Sequence, residues 1–505
     1  MPKPPKYGPD RPHPRRGPRI PLPLSLENLG RVFDRCADYQ TRSVCLAGAG
    51  ERTLTVCYID GMARTERLND YVLRPLAQDE SLARVPKGEL LEHLQQGALY
   101  AQQVHRRTTL DQVATDLVGG CCALFLPGEG AALTVPVSTE EKRSVGEPEN
   151  EPSLKGARDS FVESLRTNTS LVRRRLRAPE LRVEEHIVGR QSLTPVDVIW
   201  LKDIADPDMV RRVGERLDDM DVDGVESAGD LEEYLVPTAS SAFPLILSTQ
   251  RPDRFCRELL DGRVGLLCDG IPLGWVAPGT ADQFFKTGQD RAYHWMAASA
   301  LRLIRYFCAA VTLLLPGLYI ALVTYHPEAI PGKLALSIVA AKQEVPFSTI
   351  FEVLIMLLSF EVIQEAGLRL PGPIGSTVSI LGGLVVGNAA VDAHIVSPAV
   401  LIAVAIAGVA GYTMPSQDFG NALRLWRFGL TVLSSLGGLF GLVLGCVALI
   451  YHLAGLESFG VAYLAPFTAG PGTMSRGRPN LIRPPLPTLK WRDGPERTRN
   501  RRNQR

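Results

Sequence analysis

The chain has 505 residues, of which 55 are Lys or Arg and 54 are Asp or Glu, so its formal net charge is +1. Counted by region, residues 1–305 carry 40 basic and 44 acidic side chains, residues 306–464 carry 5 and 8, and residues 475–505 carry 10 and 2. One compact globule would not separate its charges in this way. The separation argues against a single soluble domain, a secreted disulfide scaffold and a nucleic-acid-binding protein with a basic fold.

Residues 1–29 form a basic, proline-rich stretch without the apolar segment of a secretory signal. Because its prolines prevent a regular helix, we predict a disordered cytosolic arm. The chain has 9 cysteines, an odd number, and no Cys-x-x-Cys pair. This pattern favours buried thiols in a reducing compartment over disulfides or a zinc site.

Residues 30–143 have the pattern of a cytosolic α/β subdomain. The run 54–60 reads as a buried strand, and residues 87–104 have the apolar spacing of a helix. A helix at 111–120 is followed by a hairpin at 121–137, which turns at residues 127–130.

Residues 144–300 predict a second cytosolic α/β subdomain. A basic amphipathic helix at 160–177 precedes strands at 181–189 and 196–204. Asp206 and Pro207 are typical of a helix start, and residues 221–225 return the chain toward the sheet, which suggests a βαβ-like unit. A second hairpin is expected at 262–278, turning at residues 269–270.

Residues 301–468 predict an α-helical, multi-span membrane domain. Four segments are apolar enough to cross a bilayer, and they are 306–325, 374–391, 395–412 and 429–456. Gly and Ser recur in them, as closely packed transmembrane helices require.

The segment 347–373 is also apolar but contains Glu352, Glu361 and Glu365. On a helix, Glu361 and Glu365 share one face, and Glu352 lies roughly opposite. An acid at bilayer depth costs on the order of 2.5–3.5 kcal/mol unless it faces water or a partner. The segment therefore either lines a polar pathway or lies at the membrane interface with its acids in water.

Basic residues precede the first span and follow the last one, and residues 469–505 form a basic tail. This distribution places both ends in the cytosol, which requires an even number of spans. We therefore expect four full spans, with 347–373 re-entrant or interfacial.

No enzyme, cofactor or metal signature is present in the sequence: there is no P-loop, no complete dinucleotide-binding loop and no paired histidine motif. The basic helix allows two interpretations. It either contacts anionic lipid headgroups or, as we favour, pairs with acids such as those of residues 202–220. Its interface candidates are Arg166, Arg173, Arg174, Arg175 and Arg177.

Several long stretches resemble the GerA-type spore germination proteins, the A-subunit family of bacterial spore germinant receptors. The resemblance runs from about residue 30 to residue 490. It is carried by CYIDGM (57–62), EPENEPSLKGARDSFVESLRTNTSLVRRRLRAPEL (147–181), the stretches 201–235 and 243–278, EVPFSTIFEVLIMLLSFEVIQEAGLRLP (344–371), GSTVSILGGLVVGNAAV (375–391) and SFGVAYLAPF (458–467).

The resemblance implies a two-lobed cytosolic region on a multi-span domain in the spore inner membrane. It also implies a B-type transporter-like partner, a C-type lipoprotein partner and a homo-oligomer, with a pentameric ion-conducting assembly as the leading arrangement. Under this hypothesis the pathway is lined by the helix at 350–366. The candidates are Glu352, Ser359, Glu361 and Glu365 as polar lining, with Ile355 and Leu358 as an apolar constriction.

Two alternatives stay open at this stage. A SpoVAF-type paralogue would share the architecture and amplify ion release without sensing nutrients. A scaffold would assemble receptor clusters through residues 30–300 and conduct nothing.

Overall fold

The computed structural model describes most of the chain. The described residues are 20–47, 52–101, 103–138, 155–236, 241–369, 387–468 and 481–485, with Gly146, Pro148, Glu151, Arg492 and Thr498. Residues 1–19 of the predicted arm, most of the basic tail and most of the predicted span 374–391 lie outside these residues. The predicted disorder is wrong for the end of the arm, because a helix begins at Leu26.

The first lobe, residues 20–138, is built on an antiparallel sheet of five strands in the order β1-β2-β4-β5-β3. Its strands are β1 (Tyr39–Cys45), β2 (Thr53–Ile59), β3 (His105–Arg107), β4 (Cys121–Phe125) and β5 (Ala132–Pro136). Side chains alternate between the two faces of β2, and separate apolar clusters cover each face. The predicted strand at 54–60 and hairpin at 121–137 are confirmed.

The second lobe, residues 155–291, repeats this arrangement with the order β6-β7-β9-β10-β8, also antiparallel throughout. Its strands are β6 (Leu181–Val188), β7 (Thr194–Leu201), β8 (Leu247–Thr249), β9 (Val264–Cys268) and β10 (Gly274–Ala277). The hairpin at 262–278 is confirmed, but the βαβ-like unit is wrong, because the chain after residue 221 does not add a parallel strand.

Nine helices are described in the two lobes. They are α1 (Leu26–Val32), α2 (Thr65–Leu68), α3 (Arg74–Gln78), α4 (Leu90–His93), α5 (Leu110–Val118), α6 (Leu165–Arg175), α7 (Pro207–Asp218), α8 (Ala228–Leu235) and α9 (Pro252–Asp261). Asp206 caps α7 as predicted, with its side chain accepting from the Asp208 amide. The helix predicted at 87–104 is short and irregular, because Gly97 has a φ of 135° and the helical chain ends at Ala98.

The two lobes are joined by a fully buried ion pair. The guanidinium of Arg173, on α6, makes two hydrogen bonds to the carboxylate of Asp38, and both side chains are 0% exposed. Next to the pair, the Ala37 amide donates to the Val183 carbonyl at 2.8 Å. Burial raises the pKa of the neighbouring Cys36 thiol, so it stays protonated at neutral pH.

The helical part begins at α10 (Trp295–Ile320), whose last residues continue as a π turn at Ala321–Tyr325. It continues with α11 (Gly332–Lys342), α12 (Thr349–Arg369), α13 (Pro398–Gly411) and α14 (Gln417–Gly455), and residues 387–392 are also helical. Because Glu352 contacts the start of α13 and Glu361 contacts Arg427 in the first third of α14, α12 packs lengthwise along the bundle. It is a continuous helix of 21 residues, and its placement relative to a membrane stays a prediction.

α14 is a helical hairpin rather than the single span predicted at 429–456. The backbone reverses at Gly438, whose φ of 58° and ψ of −137° are open to glycine alone. A Cβ atom on Gly441 would overlap the Leu433 carbonyl, and one on Gly445 would overlap the Leu430 side chain. The first limb (residues 417–437) and the second limb (residues 439–455) therefore lie against each other in opposite directions.

Both ends of this hairpin meet the second lobe at a group of rings that we call the aromatic junction, comprising Phe243, Phe284, Phe285, Phe419 and Tyr463. The chain after α14 forms a small hairpin, β11 (Glu457–Ser458) and β12 (Val461–Ala462), followed by α15 (Ala465–Thr468). The buried Ser458 hydroxyl donates to the Leu245 carbonyl at 2.6 Å and accepts from the Gly279 amide at 3.3 Å. The helical part is thus fastened to the second lobe at its beginning and at its end.

Candidate functional site

α12 is the helix that carries the acidic candidates, and one of its faces is packed inside the protein. Val353, Met356 and Leu357 are buried against Ile320 of α10 and Val400 of α13, together with neighbouring apolar side chains. This apolar face fixes the rotation of α12 about its own axis. The position of each acid relative to the bundle follows from that rotation.

Glu352 lies on the packed face and is 0% exposed. Its Oε2 accepts a hydrogen bond of 2.8 Å from the amide of Ser397, the residue that precedes α13. A side-chain oxygen at this position stabilises a helix start, because it accepts a hydrogen bond from a backbone amide that has no partner within the helix. Glu352, predicted as polar lining, therefore anchors α13 inside the bundle in this conformation.

Glu361 lies one-quarter exposed between α12 and α14, where its carboxylate pairs with two arginines. Arg427 contacts Oε1, and Arg424 lies 3.7 Å from Oε2. The side chain of Arg427 is only 3% exposed, so the pair compensates a buried charge. Glu361 is thereby held against the first limb of α14.

The remaining candidates lie on or near the outward face of α12. Leu358 is 60% exposed, and it shares this face with Phe351, Val362 and the exposed Glu365. Ile355 and Ser359 are half-buried at its edge, and the Ser359 hydroxyl donates to the Ile355 carbonyl at 2.8 Å. The outward face therefore combines apolar side chains with one carboxylate.

The basic helix α6 is tied to acids within the two lobes. Besides the Arg173–Asp38 pair, Arg166 lies between Asp197 and Glu185, and Arg175 pairs with Asp159. The expected partners in residues 202–220 are wrong, since the described acids that contact these arginines come from other elements. Arg174 and Arg177 are exposed.

Several residues that determine this arrangement were not singled out from the sequence, namely Arg424, Arg427, Ser397, Gly438 and Asp38. Arg424 and Arg427 could have been predicted from the sequence. Basic residues are rare between 306 and 464, and the few acids in this apolar region are expected to pair with them. The Asp38–Arg173 pair had no such signal, since its members are 135 residues apart in a charged region.

Among the described residues, two helices are long and apolar enough to cross a membrane by length and composition, Trp295–Tyr325 and Gln417–Gly455. The second contains the turn at Gly438, and its limbs of 21 and 17 residues would extend about 31 Å and about 25 Å at 1.5 Å per residue. These lengths are close to the hydrocarbon thickness of about 30 Å. Large apolar side chains on both helices are exposed, among them Phe307, Leu436, Phe440 and Val447.

Known proteins are similar to this chain along nearly its whole length. Residues 27–494 match the family described as Bacillus/Clostridium GerA spore germination protein. The chain is 36% identical over 446 residues to spore germination protein B1 of Bacillus subtilis (strain 168), which covers 88% of this chain and 91% of that protein. It is 34% identical over 478 residues to the uncharacterized membrane protein YfkQ of the same strain, covering 90% and 92%.

A further relative is spore germination protein GerLA of Bacillus cereus, 32% identical over 459 residues, which covers 91% of this chain and 92% of that one. Among solved structures, the N-terminal domain of the A subunit of the Bacillus megaterium spore germinant receptor GerK3 covers 50% of this chain and 92% of its own, with 25% identity and a TM-score of 0.41.

The chain thus consists of a two-lobed α/β region followed by apolar helices. The chain belongs to the GerA family of spore germination proteins, because the family match covers most of its length and several relatives exceed 30% identity.

Proposed function

We propose that this chain is the A-type membrane subunit of a spore germinant receptor and converts nutrient sensing into ion release. It does so as part of a homo-oligomeric, ligand-gated cation channel, a pentamer in the arrangement that the family resemblance implies. B-type transporter-like and C-type lipoprotein subunits are its partners. The complex lies in the spore inner membrane, and the proposal includes no catalytic activity and no cofactor.

The outward face of α12 is the observation that carries the channel proposal. Glu352 and Glu361 lie against α13 and α14, and Leu358 and Glu365 are exposed. The carboxylate on this face is costly against lipid but favourable beside a water-filled axis shared by several copies, where apolar side chains can form a constriction. We assign the lining to Leu358, Ile355, Ser359 and Glu365, with Glu352 and Glu361 holding the helix in position.

The arrangement of the helical part supports cytosolic placement of both chain ends. α10 starts at the second lobe and the second limb of α14 ends there, at the aromatic junction. If the lobes are cytosolic, the chain enters and leaves the multi-pass membrane part on the cytosolic side.

Conductance of the purified chain reconstituted in planar bilayers tests the proposal. Glu365→Gln should reduce cation selectivity at least two-fold, because it removes the outward carboxylate. Leu358→Ala should raise basal conductance by widening the apolar constriction. Glu328→Gln is the matched control, since Glu328 is an exposed acid between α10 and α11.

Unchanged selectivity and conductance in both α12 variants would remove these residues from the pathway. An oligomer that conducts nothing under any condition would favour the scaffold instead. A conducting oligomer encoded beside dipicolinate-channel genes, rather than beside genes for B- and C-type subunits, would favour the SpoVAF-type accessory channel.

A further inference from the structure

Residues 419–427, in the first limb of α14, contact the second lobe on one side. The ring of Phe419 is stacked on that of Phe284, with centroids 5.7 Å apart and an angle of 2° between the ring planes. Phe243, also from the second lobe, has its ring centroid 5.7 Å from that of Phe419 and 6.5 Å from that of Trp426. Because Phe243, Phe284 and Phe419 are buried, this part of the limb is packed firmly against the lobe.

The same turns of α14 contact α12 on another side. Arg427 donates a hydrogen bond to Oε1 of Glu361, and Arg424 lies 3.7 Å from its Oε2. At 100° per residue, Phe419 and Trp426 lie within about 20° of each other around the helix, and the two arginines lie about 80–140° away from Phe419. The Arg427 side chain is only 3% exposed, so separation from Glu361 would leave a buried charge uncompensated.

α12 is held at two points by two different helices. Glu352 accepts a hydrogen bond from the Ser397 amide at the start of α13, and Glu361, about two and a half turns further along, is bound by α14. The first limb of α14 is helical from Phe419 to Arg427, and its backbone reverses only at Gly438. A displacement of this limb relative to α13 would therefore turn α12 about its Glu352 contact and reorient its outward face.

We propose that residues 419–427 transmit the position of the second lobe to α12 through the Glu361 ion pair and so regulate the pathway on the outward face of α12. The inference rests on the channel function proposed above. Glu361 acts in it as a positioning residue, whereas Leu358 and Glu365 belong to the pathway. A physical coupling of this kind requires that a change at the lobe and a change at the ion pair act on the same helix, which a double-mutant cycle can measure.

Conductance of the reconstituted full chain in planar bilayers provides this cycle. Phe243→Ala weakens the contact of the lobe with Phe419 and Trp426, and Glu361→Gln removes the ion pair. We expect Phe243→Ala to change basal conductance by about five-fold or more in the wild-type chain. In the Glu361→Gln chain the same substitution should change conductance less than about 1.5-fold, because the lobe no longer acts on α12.

Two further variants separate coupling from a general loss of structure. Exchanging the charges, with Glu361→Arg and Arg427→Glu in one chain, should restore the response to Phe243→Ala, whereas Glu361→Arg alone should not. Phe243→Leu keeps the site apolar and largely filled, so the cycle is repeated with it, and size-exclusion chromatography checks that each variant retains the wild-type assembly.

Leu358→Ala is the control for the cycle, because Leu358 is exposed on the outward face of α12. Its effect on conductance should multiply with that of Phe243→Ala. If the effects of Phe243→Ala and Glu361→Gln also multiply, or if Phe243→Ala changes nothing in the wild-type chain, the inference is wrong, while a response to Leu358→Ala still supports the channel. A chain that conducts in no variant would overturn the channel and this inference together.

Discussion

The ring of Tyr325 covers Gly438 so closely that a Cβ atom on this glycine would lie 2.8 Å from the ring. The Tyr325 hydroxyl also donates a hydrogen bond of 2.6 Å to the Ser435 carbonyl, in the last turn of the first limb. The end of the segment that starts as α10 is thus locked onto the turn of α14. Backbone conformation and packing both require glycine at this turn.

Gly438→Ala should therefore lower the free energy of unfolding by about 1–3 kcal/mol from backbone strain, with a further loss from displacement of Tyr325. Thermal unfolding in detergent measures the effect. Gly429→Ala serves as the control, since nothing lies within 4 Å of a Cβ at that helical position. Equal unfolding midpoints for the two variants would contradict the requirement for glycine at this turn.

The ion pair between the lobes gives a second prediction. Asp38→Asn leaves Arg173 buried without a carboxylate, so it should lower the unfolding free energy by about 3–5 kcal/mol. Glu27→Gln, which disrupts the exposed pair with Arg31, should cost less than about 1 kcal/mol. Chemical denaturation compares the two variants, and similar midpoints would show that the lobes are held together by other contacts.

We expect the stability of the protein to depend on pH through Asp197. Burial raises its pKa from 3.8 to about 6, against the opposing influence of Arg166 and of a 2.8 Å hydrogen bond from Thr169. A carboxyl with a raised folded pKa contributes stability that is fully present below about pH 4 and is lost as the pH rises through about 6.

A rise of the Asp197 pKa from 3.8 to about 6 corresponds to about 3 kcal/mol of stability. Relative to Asp197→Asn, the wild-type chain should therefore lose about this stability between pH 4 and pH 7. Unfolding midpoints at several pH values measure the difference. Asp221→Asn, at an exposed pair with Arg190, should track the wild type throughout, and a constant gap between wild type and Asp197→Asn would refute the assignment.

Substitutions of the acidic residues of α12 should differ in their effects on the stability of the protein as well as on conductance. Glu361→Gln removes the partner of the buried Arg427, so we expect a loss of about 3 kcal/mol in unfolding free energy. Glu365→Gln changes an exposed position and should cost less than about 1 kcal/mol. If thermal unfolding ranks the two variants in the opposite order, the rotation of α12 described above is wrong.

Local features were predictable because nearby residues determine them. The hairpins at 121–137 and 262–278 and the capped start of α7 depend on turn and capping residues next to the elements they define. The apolar composition of residues 306–464 likewise indicated the helical part.

Features that depend on contacts between distant parts of the chain could not be predicted from the sequence. The run 429–456 contains several glycines, and only the contacts of Tyr325 and Ser434 select Gly438 as the turning point. The periodicity of α12 placed Glu352 opposite Glu361 and Glu365, yet which face would be covered depended on α10, α13 and α14. The identical strand order of the two lobes was not predicted either, because it depends on which strands pair across the sheet.

Both limbs of α14 contact the second lobe at the aromatic junction, so a rotation of this lobe would move the two limbs together. The free end of α14 is the Gly438 turn, about 31 Å from the base at 1.5 Å per residue along the first limb. A tilt of about 5° at the base would therefore carry the tip by about 3 Å, roughly half a helical turn. Because Tyr325 contacts that turn, the end of the segment that starts as α10 would move with it, and a small displacement of the second lobe would be largest at the Gly438 turn.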